Sequence, residues 1–280
     1  NELVLSTKKQ IERFYATIME LKDVKGEPQD IDRWLTSRLQ EHIAKMTAAL
    51  DNFQTRQALQ EASFGIETDL KWYRRRLPEG CAGSSELATL CSVWTRLLSP
   101  FIPFTTEHLW RELGNKDLVS FAEWPVADEK LINTKIELSE ELLARTVEDV
   151  ESIRKLIQIT PKSITIVLAP SWKYEVFRTI AKASDRNTVI KEIMKDDAMK
   201  KRGKEATDAA KQCTTLIHRL PPQIVEPLAE EPLNERAVFE SAKAFLEREF
   251  GVPVQIAEAE SSGHAKGATA LPFKPAIVIE

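Results

Sequence analysis

The run Lys71-Trp72-Tyr73-Arg74-Arg75-Arg76 places four cations and two aromatic rings in six residues. Each arginine offers a planar fork that grips a phosphate bidentately or stacks on a base. A solvated helix end, whose cations complement the negative end of the helix dipole, is the plain alternative. Three arginines beside two aromatics exceed that need, so the run reads as an RNA-contacting surface, with Trp72 turned into the core. Lys200, Lys201, Arg202 and Lys204 crowd a predicted turn within residues 191–211, which hold seven Lys or Arg against five acids. There a solvated face and a phosphate contact are equally good readings. Arg38 lies four residues past Trp34 at the edge of an apolar helical stripe, where pairing with an acid competes with RNA contact.

Other chemistry is missing. Gly263-His-Ala-Lys-Gly267 lacks the G-x-x-x-x-G-K-[ST] spacing that aims backbone N–H groups at phosphates. No serine sits in a G-x-S-x-G elbow, and no carboxylate pair is flanked for acid/base work. Cys81, Cys91 and Cys213 form no C-x-x-C pair, and the four histidines are scattered. Neither a disulfide framework nor a zinc site is expected, which suits a reducing cytosol. No stretch approaches the roughly 18 consecutive apolar residues of a membrane helix. The net charge of −4 argues against bulk attraction to a polyanion, although a local basic face still grips phosphates. The sequence therefore describes a binding chain without catalytic residues or a metal site.

Apolar spacing predicts what holds these residues. One helical stripe covers 3–22, and Gly26-Glu-Pro28 stops it. Asp30 is the expected N-cap of a second helix running to Phe53. Helices over 55–77, 85–98 and 103–113 follow, the last two separated by Ser99-Pro100. Pro100, Phe101, Pro103, Phe104, Leu109 and Trp110 are expected to pack. The fold class is mainly α: an antiparallel helical bundle over 1–125, then a small α/β domain. A linker is expected over 126–138. The α/β domain, 139–280, has a helix from Ser139 to about Ile159 bearing Ile153 and Leu156 on its apolar face, and a strand at Ser163–Leu168. Helices follow near 172–183, 189–194, 205–216 and 234–250, strands near 252–257 and 276–279, and a loop at 261–267.

Two segments carry a resemblance: Asp32-Arg-Trp34-Leu35-Thr-Ser37-Arg38-Leu39, and Leu97-Leu98-Ser-Pro100-Phe101-Ile-Pro103-Phe104-Thr-Thr-Glu107-His-Leu109-Trp110. Asn52-Phe53-Gln-Thr-Arg56 through Arg76 lies between them, and Glu123-Trp124-Pro125 follows. In this order they resemble the anticodon-binding helical domain of class I aminoacyl-tRNA synthetases of the leucine/isoleucine/valine group. In the second half, Val147–Ile153, Ile159-Thr-Pro161-Lys162, Ala169-Pro-Ser-Trp172-Lys173 and Leu271-Pro-Phe273-Lys274-Pro275-Ala276-Ile277-Val-Ile279-Glu280 resemble the carboxy-terminal extension of leucyl-tRNA synthetases of archaeal and eukaryotic cytosolic type.

The resemblance implies the tRNA-recognition part of a cytoplasmic ligase. Its partner would be leucine tRNA, with no DNA or membrane partner. The family's His-x-Gly-His and Lys-Met-Ser-Lys signatures are missing, so adenylation, with its ATP and Mg, would lie upstream of Asn1, and this segment would hold no cofactor. The resemblance implies that the bundle holds the tRNA body and the carboxy-terminal domain reaches the long variable arm. It adds Ile279 and Glu280 to Arg38, Lys71, Arg74, Arg75, Arg76, Lys200, Lys201, Arg202 and Lys204 as RNA-binding candidates. A carboxylate cannot attract phosphates, but it can accept hydrogen bonds from exocyclic amines on splayed bases. A strand end that merely closes the sheet is the alternative for Ile279 and Glu280. The corresponding part of an isoleucyl or valyl enzyme, or a protein-interaction scaffold with no RNA role, remain rival readings.

Overall fold

The computed structural model describes residues 2–157, 161–183, 189, 192–260 and 265–280. The chain divides into two compact units, Asn1–Glu137 and Leu138–Glu280. The first is helical; the second sets helices around a three-stranded sheet.

In the first unit α1 (Glu2–Leu21) buries Phe14, Ile18 and Leu21. Gln29, and not Asp30, is the N-cap of α2 (Asp30–Asp51). Asp32 reaches back to the Gln29 N–H at 2.5 Å and accepts the Tyr73 hydroxyl at 2.7 Å, so one buried carboxylate closes the helix start and fastens it to another helix. Phe53 does not extend α2: it lies past the helix end at φ +57° and is 90% exposed. The helix expected over 55–77 is three pieces, α3 (Thr55–Gln60), a π turn (Glu61–Gly65) and α4 (Ile66–Arg76). Its buried residues Ala58, Ala62, Ile66 and Leu70 recur every fourth position, a wider spacing than the 3.6 of an α-helix. In the π turn the Ala62 carbonyl accepts Trp94 Nε1 at 2.6 Å. α5 (Glu86–Leu98) is the central helix, burying Leu87, Leu90, Trp94 and Leu97. α6 (Pro103–Glu112) starts with proline at its first position, where no N–H partner is needed. Leu109 and Trp110 pack as expected, whereas Phe104 is 92% exposed.

The expected linker is shorter than predicted. Asn133 Oδ1 accepts the Ile136 N–H, and α7 (Thr134–Ile157) begins five residues before Ser139. Leu138, Leu142, Leu143, Val147 and Val150 form its buried stripe; Leu156 lies outside it, exposed.

In the second unit β1 (Ile164–Leu168) is central and wholly buried, hence its branched side chains, all apolar except Thr165. It pairs in parallel with β2 (Val254–Glu258) and antiparallel with β3 (Ala276–Ile279). α8 (Ser171–Lys182) follows β1, and α9 (Asp197–Arg202) is capped by the Asp196 carboxylate where only a turn was expected. α10 (Lys204–Arg219) packs on α8 and buries the small residues Ala206, Ala209, Ala210 and Cys213. α11 (Pro222–Glu230) was hidden in the sequence by its prolines, although Pro222 again starts the helix. The helix expected over 234–250 is two, α12 (Glu235–Ser241) and α13 (Lys243–Phe250). Residues 190 and 191 of the helix expected at 189–194 and residues 261–264 of the 261–267 loop lie outside the described residues.

Candidate nucleic-acid interface

Arg38 faces acids. Its Nε donates to Asp69 at 2.8 Å and its Nη1 to Glu41 at 2.6 Å, with Glu137 at 3.9 Å. The side chain is only 24% exposed, so its donors are committed inside the first unit. Asp69 also takes His42 Nε2 at 2.9 Å, and Glu61 takes His42 Nδ1 at 2.7 Å. Burial opposes the imidazolium, but the hydrogen bonds to Asp69 and Glu61 raise the His42 pKa above its usual value. Burial likewise opposes ionised Asp69, yet its bonds to His42 and the charge of Arg38 hold it below the usual carboxylate range. Glu137 goes the other way. Burial, with Glu41 nearby, pushes it up to about 7, although Ser37 donates a hydrogen bond to it. Arg38 thus ties α2 to α4 through acids of the first unit, the pairing that competes with RNA contact at this position.

The basic run of α4 stays at the surface. Lys71 pairs with Glu67 at 3.2 Å, and Arg74 pairs with Glu20 of α1 at 2.9 Å. Arg75 lies over the Trp72 ring at 5.9 Å. Tyr73, not Trp72, is the fully buried aromatic of the run; Trp72 is half-buried. The Arg74–Glu20 pair is exposed on both sides, and such pairs contribute only about 0–1 kcal/mol. Arg76 is half-buried.

In the second unit the predicted basic turn separates into parts. Lys200 pairs with Asp197 at 3.0 Å, and Lys201 and Lys204 are exposed. Arg202 lies over the Trp172 ring at 4.6 Å and pairs with Glu205 and Glu260, so it ties α9 to α8. Ile279 pairs with Ile164 in the sheet and is half-buried. Glu280 keeps its main chain in the same ladder: its N–H donates to Ser163 O and its carbonyl accepts from Ser163 N, both at 3.1 Å. Its side chain remains exposed.

The sequence reading missed two sets of residues. One is the His42–Asp69–Glu61 network, whose only signal was a histidine on the buried face of α2. The other is a group of exposed cations, Lys211, Arg219 and Lys274, around one cleft. Its signal was the spacing of Lys211, Thr215 and Arg219 at i, i+4 and i+8 on α10. Among the described residues no cluster of three or more His, Cys, Asp or Glu could hold a metal, and no helix is long and apolar enough to cross a membrane.

Residues 32–168 match the family described as the anticodon-binding domain of tRNA ligase. The chain is 37% identical over 287 residues to a leucine–tRNA ligase of Pyrococcus horikoshii, covering 98% of this chain and 28% of that protein. It is 33% identical to the leucine–tRNA ligase of Methanosarcina mazei, covering 98% of this chain and 29% of the relative. The chain thus spans less than a third of the curated relatives it matches. Among solved structures, a LeuRS–tRNA–LeuAMS ternary complex from Agrobacterium radiobacter K84 aligns at TM-score 0.38 and 20% identity, over 59% of this chain and 18% of that one.

Proposed function

From a chain that carries an anticodon-binding domain of the tRNA-ligase family and is related over nearly its whole length to archaeal leucine–tRNA ligases, we propose the tRNA-recognition part of a leucyl-tRNA synthetase. The observation that carries this reading is the continuous relationship: it runs through the helical unit and through the α/β unit, at 33–37% identity in the two relatives above. A relationship confined to the bundle would suit an isoleucyl or valyl enzyme equally.

On this reading the exposed cations of α4 meet the tRNA body through phosphates, which position the RNA without reading it. Glu280, with its main chain held in the sheet and its carboxylate outside, is placed to accept hydrogen bonds from unpaired bases of the variable arm. Lys200, Lys201 and Lys204 supply further phosphate contacts, while Arg202 acts through its seat on Trp172. ATP and Mg belong to a catalytic domain upstream in the parent, and the compartment is the cytoplasm. The rival scaffold reading predicts no RNA binding.

A filter-binding titration of the chain against leucine tRNA, run across a salt series, tests the proposal. Binding should weaken with a linear log–log slope of several units, about 0.7–0.9 per neutralised phosphate. Binding of leucine tRNA no tighter than of other tRNAs would sink the leucyl assignment; no binding at all would leave the scaffold.

A further inference from the structure

α10 carries Lys211, Thr215 and Arg219 along one stripe, and that stripe faces the segment bearing Thr269 and Lys274 across a cleft of about 350 Å³. The three cations are exposed, and among the described residues none of them makes an ion pair. They contrast with Lys200 and Arg202, each of which already has an acid. The chain has 43 acidic residues against 39 basic ones, so a face that was merely solvated would mix both signs.

The cleft is also held in shape. Leu271 and Lys274 exchange two main-chain hydrogen bonds, each 2.9 Å, across a two-residue turn. Phe273 in that turn takes φ +61°, buries its ring, and donates its N–H to the buried Glu235 carboxyl at 2.6 Å. The buried Lys173 ammonium donates to the carbonyls of Ala268 and Ala270 at 2.6 and 2.8 Å, which pins the backbone on either side of Thr269. Lys274 is therefore presented from a fixed backbone, and ligand binding need order only side chains. Leu216 and Leu271 form an apolar floor, and the Gln212 amide stands at the edge.

We infer that this cleft binds the sugar–phosphate backbone of RNA, with Lys211, Arg219 and Lys274 on successive phosphates and a ribose over Leu216 and Leu271. Lys211 and Arg219 are eight residues apart, about 12 Å along the helix. One phosphate cannot bridge that distance, so a stretch of backbone fits better than a free anion. The inference rests on the reading that this chain binds tRNA, and it adds a contact surface separate from α4 and from Glu280.

The test is the triple variant Lys211→Ala, Arg219→Ala, Lys274→Ala in the full chain. All three positions are exposed, and a thermal melt checks that the fold is kept. The log–log salt slope of leucine tRNA binding should fall by about two to three units, and low-salt affinity by more than about tenfold. Lys211→Arg with Lys274→Arg should retain the slope, which marks charge and not side-chain identity as the cause. If the unsubstituted chain binds tRNA and the triple variant binds with the same slope, the cleft is not an RNA site and the wider reading survives. If the unsubstituted chain binds no tRNA, the wider reading falls and takes this inference with it. Competition by inorganic phosphate at constant ionic strength would mark a single-anion site and overturn the backbone assignment.

Discussion

Asp69 Oδ2 lies 2.9 Å from His42 Nε2, and this contact favours the charged form of a buried ring. His42 Nδ1 faces a second carboxylate, that of Glu61, at 2.7 Å. Ionised carboxylates only accept, so both contacts are hydrogen bonds only when both ring nitrogens carry protons, and the pair favours the imidazolium.

A pH dependence of stability follows. The folded pKa of His42 is raised, so its contribution is complete below about 6.5 and is lost as pH rises through the folded value. The lowered pKa values of Asp69 and Glu61 act oppositely, and their contributions are lost as pH falls through the folded values. His42→Gln should cost about 1.5–3 kcal/mol at pH 6, and the gap to the unsubstituted chain should narrow as pH rises. Denaturant melts at pH 6 and pH 9 measure it; a gap constant across that range means the ring is neutral in the fold.

Gly65 makes room for that ring. A Cβ there would meet His42 Cε1 at 2.8 Å and Nδ1 at 3.0 Å. Although alanine is the better helix former, Gly65→Ala should destabilise the bundle by about 1–3 kcal/mol through overpacking. A thermal melt equal to or above that of the unsubstituted chain would contradict this.

Arg38→Ala should act on the fold and not directly on RNA. Removing the guanidinium strips Asp69 and Glu41 of their strongest donor, at about 1.5–3 kcal/mol. The salt slope of tRNA binding, measured well below the melting temperature, should stay within experimental error. A slope reduced by about one unit would restore Arg38 as a phosphate contact.

Glu280→Ala separates the two roles of the last residue, because the substitution leaves its main-chain ladder intact. Stability should change by less than about 0.5 kcal/mol. Discrimination between leucine tRNA and a version lacking the loop bases of its variable arm should fall. Equal discrimination by both proteins would reduce Glu280 to closing the sheet.

Most elements were legible because burial writes itself as periodicity. Ile18, Leu21, Ile31, Trp34, Leu35 and Leu39 are apolar where the helices turn inward, and β1 is an unbroken branched run. The misses have local causes. Phe53 and Phe104 are apolar residues left at the surface, and composition cannot tell them from core aromatics. α9 needed only a capping aspartate, and the break at Ala242 has no glycine or proline to announce it. Site residues were harder to read. A cation's partner can lie far away in the chain, as Asp69 lies 31 residues from Arg38, and spacing along one helix does not reveal such a partner.

The π turn sets the direction in which the arginine run points. A π turn holds one residue more than an α turn, so it winds the chain back by about 100° relative to an unbroken helix. Without that rotation, Asp69 and Tyr73 would swing off the lines to His42 and Asp32, and Arg74–Arg76 would swing with them. Deleting one residue between Glu61 and Gly65 would shorten the chain by a single link yet re-aim every side chain of α4. The azimuth of the α4 cations is thus written a full two turns upstream, in a segment that carries no cation at all.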